Sequence, residues 1–155
     1  MKKICIACSA GGHLTEAKQL LPTFENNKFY FLTTKRMDTI ELSKKYKTIF
    51  ITDPGRNPIS LIKNIFETIS VLKTENPDII ISTGAGIAIP TIIIGKLTGK
   101  KTIFIESICR ITKPSLAGKI AYPFSDLFLV QWEKMLEKIG KKAKYWGAVI
   151  WYLLW

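Results

Sequence analysis

Hydrophobic positions along this chain follow two alternating periods. Compact apolar runs predict six strands: Lys3 to Ala7 (KICIA), Lys28 to Leu32 (KFYFL), Thr48 to Ile51 (TIFI), a fourth opening at Asp78 to Ile81 (DIII), Thr102 to Ile105 (TIFI) and Leu127 to Val130 (LFLV). Between them apolar residues recur every three or four positions. A helix is expected from about His13 to Leu21, apolar at Leu14, Ala17, Leu20 and Leu21 and stopped by Pro22. Others are expected at Thr39 to Tyr46, Ser60 to Thr74, Ile87 to Leu97, Ser115 to Tyr122 and Glu133 to Ile139. The longest carries Leu61, Ile65, Ile69 and Leu72 on one apolar face, and Pro90 is tolerable in the first turn of its helix. The stretch DPGRNP, residues 53–58, is a loop by its prolines and glycine.

Strands alternating with helices imply crossover connections, hence an α/β, Rossmann-like doubly wound parallel sheet. The expected strand order is 3-2-1-4-5 plus an extra edge strand. In such a sheet ligands bind beyond the carboxyl ends at the switch point, between the first and fourth strands. Both of these strands run into glycine turns that open helices: SAGGH, with Ser9, Gly11, Gly12 and His13, and STGAG, with Thr83, Gly84 and Gly86. Two helix N-termini then face one crevice, where unpaired N–H groups and the helix dipoles favour phosphate. The plainer alternative is that both turns are tight strand–helix joints.

Composition narrows the partners. The 155 residues suit one domain, and 23 Lys plus Arg against 12 Asp plus Glu point to an anionic partner or to solubility charge. Nucleic acid is not expected: the basic residues are dispersed and the only arginines are Arg36, Arg56 and Arg110. Cys5, Cys8 and Cys109 match no zinc spacing, so no metal site is expected, and a reducing, cytoplasmic setting is. The N-terminal apolar run is too short for a signal peptide, and Ile79 to Gly95, with two glycines and a proline inside it, falls short of a spanning helix. The glycine turns miss the dinucleotide fingerprint, although Lys35 and Arg36 after the second strand keep an NADP-binding oxidoreductase open as an alternative.

His13, the only histidine, opens a helix beside the crevice, where the helix dipole favours neutral imidazole and a general-base role toward a hydroxyl; a cap or packed ring is the structural alternative. Glu16 completes a cap or takes part in catalysis. Glu106, with Ser107 and Arg110 in the loop ESICR, lies at the same edge as a base or sugar-hydroxyl ligand, or else forms an internal ion pair with Arg110. Gln131 and Trp132 follow the sixth strand and are expected to line that edge, Trp132 serving equally as a core or interface ring. The apolar tail YWGAVIWYLLW follows Lys138, Lys141, Lys142 and Lys144, a combination suited to an anionic membrane surface, a protein partner or the domain's own core. We divide the chain into a domain over 1–148 and a tail over 149–155.

The segments CSAGGHLTE, ISTGAGIAIP, IFIESICRITKPSLAGKIAYPFSDLFLVQW and KAKYWG together resemble the PssD/CpsF-like capsular and exopolysaccharide proteins. These are similar to the membrane-recruiting subunit of the two-part UDP-N-acetylglucosamine transferase of dolichol-linked oligosaccharide synthesis. The Gly11-Gly12-His13 turn resembles that of the murein lipid glycosyltransferase. The resemblance implies the N-terminal, acceptor-side half of a GT-B glycosyltransferase, completed by a C-terminal-half partner subunit that holds most of the UDP-sugar donor. It implies a lipid-diphosphate-linked sugar as acceptor, no bound cofactor or metal, and peripheral attachment at the cytoplasmic face of the membrane. Under it His13 and Glu106 are the catalytic candidates, and Ser9, Gly11, Gly12, Thr83, Gly84, Gly86, Ser107, Arg110 and Gln131 the substrate-binding ones. A variant is a module that only anchors and activates its partner. The eukaryotic subunits carry an N-terminal membrane helix where this chain begins at its first strand.

Overall fold

A computed structural model describes residues 1–149 of the chain. Seven strands form one wholly parallel sheet in the order β3-β2-β1-β4-β5-β6-β7. They are β1 (Lys3–Cys8), β2 (Lys28–Thr33), β3 (Thr48–Phe50), β4 (Ile79–Gly84), β5 (Lys101–Ile105), β6 (Leu127–Val130) and β7 (Ala143–Tyr145). The helices are α1 (Gly12–Gln19), α2 (Met37–Ser43), α3 (Pro58–Glu75), α4 (Ala88–Leu97), α5 (Leu116–Ala121) and α6 (Leu136–Ile139).

The doubly wound reading holds, and the period-two rule explains the core. Cys5 and Ala7 of β1 enter one buried cluster with Tyr30, Leu32, Ile80 and Phe104, under α3, α4 and α5. Ile4, Ile6 and Cys8 enter the other with Phe31, Ile81 and Ile105, under α1 and α2. Strands buried on both faces need apolar residues at every position, which is why they read as unbroken runs.

Three expectations are corrected. The extra strand, β6, is not the edge: β7 pairs beyond it, with Phe128 opposite Ala143. Only Ala143 of β7 is buried and Lys144 faces water, so three residues offered no apolar run to read. The first helix ends at Gln19, short of Leu20 and Leu21, and Pro22 does not stop it but opens a separate 3-10 turn over Leu21–Phe24. The third correction is larger: α3 turns polar Asn64 and Thr68 inward with Leu72, and leaves Leu61 and Ile69 exposed. The cause is specific, because Asn64 Nδ2 donates to the Thr52 carbonyl at 2.6 Å and fixes the helix rotation. Of the tail YWGAVIWYLLW, residues 145–149 are described and the rest lies outside the described residues: Tyr145 closes β7, Trp146 is exposed, and the Val149 N–H donates to Gln131 Oε1 at 2.8 Å.

Candidate functional site

The carboxyl ends of β1 and β4 diverge at a register shift. Ala7 pairs with Ser82 but Cys8 pairs with Gly84, so Thr83 is the extra residue. Its backbone, released from the ladder, engages His13. His13 Nδ1 lies 2.8 Å from the Thr83 carbonyl oxygen, and Thr83 Oγ1 donates to the His13 carbonyl at 2.8 Å. A carbonyl only accepts, so the proton sits on Nδ1 and Nε2 is left for chemistry. Gly84, at φ 116°, lets the imidazole lie flush: a Cβ there would come within 3.0 Å of Cε1.

The half-buried ring lines a crevice of about 620 Å³. Gly12 and His13 come from α1, Ala85 and Gly86 from the β4–α4 turn, Ser107 and Arg110 from the loop after β5, and Gly55 and Arg56 from the loop after β3. The first intrahelical bond of α1 runs from the Thr15 N–H to the Gly11 carbonyl at 3.0 Å, so the preceding amides have no partner inside the helix. One nearby donor is already taken: the Gly11 N–H donates to Asp38 Oδ2 at 2.6 Å. Two guanidiniums, Arg56 and Arg110, are exposed at this crevice, and its only lining carboxylate among the described residues, Glu16, is buried. The surface therefore favours an anion.

Behind the wall lies a buried polar network. Glu16 Oε1 accepts from Ser107 Oγ at 2.9 Å and from the Ile108 N–H at 3.1 Å, and Gln131 Nε2 reaches Glu16 Oε2 at 3.4 Å. Burial pushes the Glu16 carboxyl above its usual range, against the pull of the Ser107 and Ile108 donors. The cap reading of Glu16 is thus corrected: it reaches across 91 residues to hold the loop after β5, and α1 has no side-chain cap.

Glu106, 2% exposed, accepts from the Ser107 N–H at 3.1 Å and from the Ser115 N–H and Oγ at 2.9 and 3.0 Å. The ion pair with Arg110 does not form among the described residues; Ser115, which caps α5 through the Gly118 N–H at 2.8 Å, is the partner instead. Gln131 is buried, donating to the Glu106 carbonyl at 3.0 Å. Trp132 is neither core ring nor crevice wall: it is 39% exposed and its Nε1–H donates to the Ile108 carbonyl at 2.6 Å.

The structure therefore brings Gly12, His13, Gly86, Ser107 and Arg110 together around one space. Thr83, Gly84, Glu106 and Gln131 stand behind it, and Ser9 and Gly11 line an adjoining hollow with Thr34, Arg36 and Asp38. Sequence reasoning missed Arg56, although every loop after a strand of a parallel sheet emerges at this edge. It also missed Ser115 and Asp38, which no spacing marks. Cys5 and Cys8 are buried with thiols pushed up to about 12, chiefly by desolvation, whereas Cys109 is exposed at the crevice.

Known proteins share this architecture. The family model described as "Oligosaccharide biosynthesis protein Alg14 like" matches residues 54–149. The human UDP-N-acetylglucosamine transferase subunit ALG14 is 27% identical over 183 residues, covering 95% of this chain and 82% of that protein. The Candida albicans subunit of the same name is 34% identical over 99 residues, covering 60% of this chain and 44% of that protein. Among solved structures, Acinetobacter baumannii MurG superposes with a TM-score of 0.80 at 13% identity over 96% of this chain. A UDP-N-acetylglucosamine 2-epimerase from Rickettsia bellii gives 0.77 at 16% over 99%. The chain spans 45% and 47% of those two structures, and at such identities they establish the fold alone. These relatives give the reductase alternative no support, and Arg36, its proposed phosphate ligand, points to Asp53 at 3.8 Å.

Proposed function

The chain belongs to the family of Alg14-like oligosaccharide biosynthesis proteins, and from that premise we propose that it is the acceptor-side half of a two-chain GT-B glycosyltransferase. A partner chain supplies the other half and most of the UDP-sugar site. The crevice receives the diphosphate of a lipid-linked sugar, held by Arg56, Arg110 and the amides opening α1. His13 Nε2 accepts the proton of the acceptor hydroxyl as its oxygen attacks the anomeric carbon of the donor. The bond from that carbon to the UDP oxygen breaks, and UDP leaves with the bonding pair. Glu106 and Gln131 position the loop that carries Ser107 and Arg110, because their polar atoms are spent inside the fold. No metal or cofactor enters this scheme.

The observation that carries the reading is the anchored imidazole. The Thr83 carbonyl fixes its tautomer and leaves Nε2 at a cationic crevice beside the N-terminus of α1. The test is transfer by the reconstituted pair. Replacing His13 with Ala is expected to lower kcat about 10²- to 10⁴-fold, and Arg110→Ala to raise KM for the acceptor with a smaller effect on kcat. Undiminished turnover by the His13 variant, with complex formation still required, would make the chain an anchoring and activating module instead.

A further inference from the structure

The buried Gln131 side chain joins three parts of the chain that are far apart in sequence. Its Nε2 donates to the Glu106 carbonyl at 3.0 Å and reaches Glu16 Oε2 at 3.4 Å, while its Oε1 accepts from the Val149 N–H at 2.8 Å. The amide has no second orientation that fits. A carbonyl and an ionised carboxylate only accept and a backbone N–H only donates, so a flipped amide would set acceptor against acceptor and donor against donor. Loss of the Val149 N–H therefore leaves Oε1 a buried acceptor without a partner.

Val149 is where the chain beyond β7 returns to the body of the domain. Trp146 stands exposed, and Gly147 takes φ 95°, a left-handed conformation open to glycine. Val149 is half-buried and packs against the cluster that holds Ile6, Leu14 and Ile105. Among the described residues, no other hydrogen bond ties residues 147–149 to the fold. The opposite end of the junction is the crevice wall. Ser107 Oγ donates to Glu16 Oε1 at 2.9 Å and the Ile108 N–H to the same oxygen at 3.1 Å. The Cys109 N–H donates to Ser107 Oγ at 3.3 Å and the Arg110 N–H to the Ser107 carbonyl at 2.9 Å. Ser107, Cys109 and Arg110 line the crevice. One buried amide thus holds the C-terminal segment on its oxygen and the base of this loop on its nitrogen.

We infer that the C-terminal segment is coupled to the crevice through Gln131, so that docking of Val149 sets the order of the loop that carries Ser107 and Arg110. With Val149 docked, every polar atom of the amide is engaged and the loop is fastened. Drawing Val149 away orphans Oε1, frees the amide to move and loosens the wall that bears the Arg110 guanidinium. By linkage a loosened loop weakens the hold on Val149 to the same degree, and an anion that fastens Arg110 favours the docked segment. That this anion is the acceptor diphosphate rests on the function proposed above; the coupling itself does not.

The test is amide hydrogen exchange of the full chain, read residue by residue by NMR, which requires neither partner nor turnover. Val149→Pro removes the N–H and keeps the chain length. The Ile108, Cys109 and Arg110 amides should then exchange about two- to tenfold faster, as for the loss of one hydrogen bond, while the Ile6 and Ile81 amides, inside β1 and β4, keep their rates. Gln131→Met should speed the same three loop amides at least as much, and Val149→Pro should add nothing in that background. In the other direction, Ser107→Ala at the crevice should speed exchange of the Val149 amide. Three outcomes overturn the inference: unchanged loop amides in Val149→Pro; effects of Val149→Pro and Gln131→Met that multiply; or equal acceleration at Ile6 and Ile81, which would make the segment an ordinary part of the core. None of these bears on transfer by the reconstituted pair, so the function proposed above stands or falls separately.

Discussion

Gly118→Ala separates ordinary helix energetics from the tertiary demand that the site makes. Inside a helix this exchange normally stabilises by about 1 kcal/mol, since alanine has the higher propensity. Gly118 faces Glu106 instead of water: a Cβ would lie inside the van der Waals shell of Oε2 and 3.1 Å from Cδ. Oε2 cannot retreat freely, because the Ser115 N–H and Oγ hold it at 2.9 and 3.0 Å. Overpacking costs roughly 1–3 kcal/mol, and each weakened charge-assisted bond to a buried carboxylate roughly 1.5–3. Set against the propensity gain, the net is a loss of about 3 kcal/mol. For a chain of this length that lowers Tm by roughly 6–12 °C. Thermal melts followed by circular dichroism measure it. In a Glu106→Ala background only Ser115 Oγ, 3.1 Å from the added Cβ, has to give, so most of the loss should disappear. A Gly118→Ala protein as stable as wild type, or an equal loss in both backgrounds, would refute the reasoning.

Other expectations follow from the same contacts. Gly84→Ala strains the backbone at φ 116° and presses on the His13 ring, so transfer by the reconstituted pair should fall about as far as with His13→Ala. Glu16→Ala orphans Ser107 Oγ and the Ile108 N–H and should cost about 2–4 kcal/mol in denaturant melts, whereas Glu16→Gln keeps an acceptor and should stay within about 1. Because burial raises the Glu16 carboxyl, its ionisation opposes folding, and the Gln variant should gain on wild type as pH rises through the carboxylate range. Asp126 behaves oppositely. Burial pushes it up, but the Lys96 ammonium with the Thr102 N–H and hydroxyl overcomes this and holds its pKa at about 2. A depressed carboxyl stabilises above its unfolded value, so about 2 kcal/mol should be lost as pH falls from near 4 toward 2, and Asp126→Asn should flatten that part of an acid titration.

How much was legible in the sequence depends on the range of the interaction responsible. The continuous apolar strands, the crossover helices and the sheet order through the fifth strand follow from local periodicity and the handedness of parallel connections. The glycine turns at Gly11-Gly12 and Gly84-Gly86 marked the crevice because only one end of such a sheet gathers the strand-to-helix loops. His13 was legible for the same reason, being placed by its own turn.

What the tertiary structure alone decided are pairings between distant residues. The Thr83 carbonyl chooses the His13 tautomer from 70 positions away, and Glu16 clamps a loop 91 positions on. Glu106 meets Ser115 rather than Arg110 because α5 folds back over the end of β5, with Gly118 leaving room for the carboxylate. The rotation of α3 was fixed by Asn64 reaching the Thr52 carbonyl, so a buried hydrogen bond outweighed the apolar pattern and left that pattern facing outward. Periodicity identifies which residues share a face of a helix; a buried polar group that must find its partner decides where that face points.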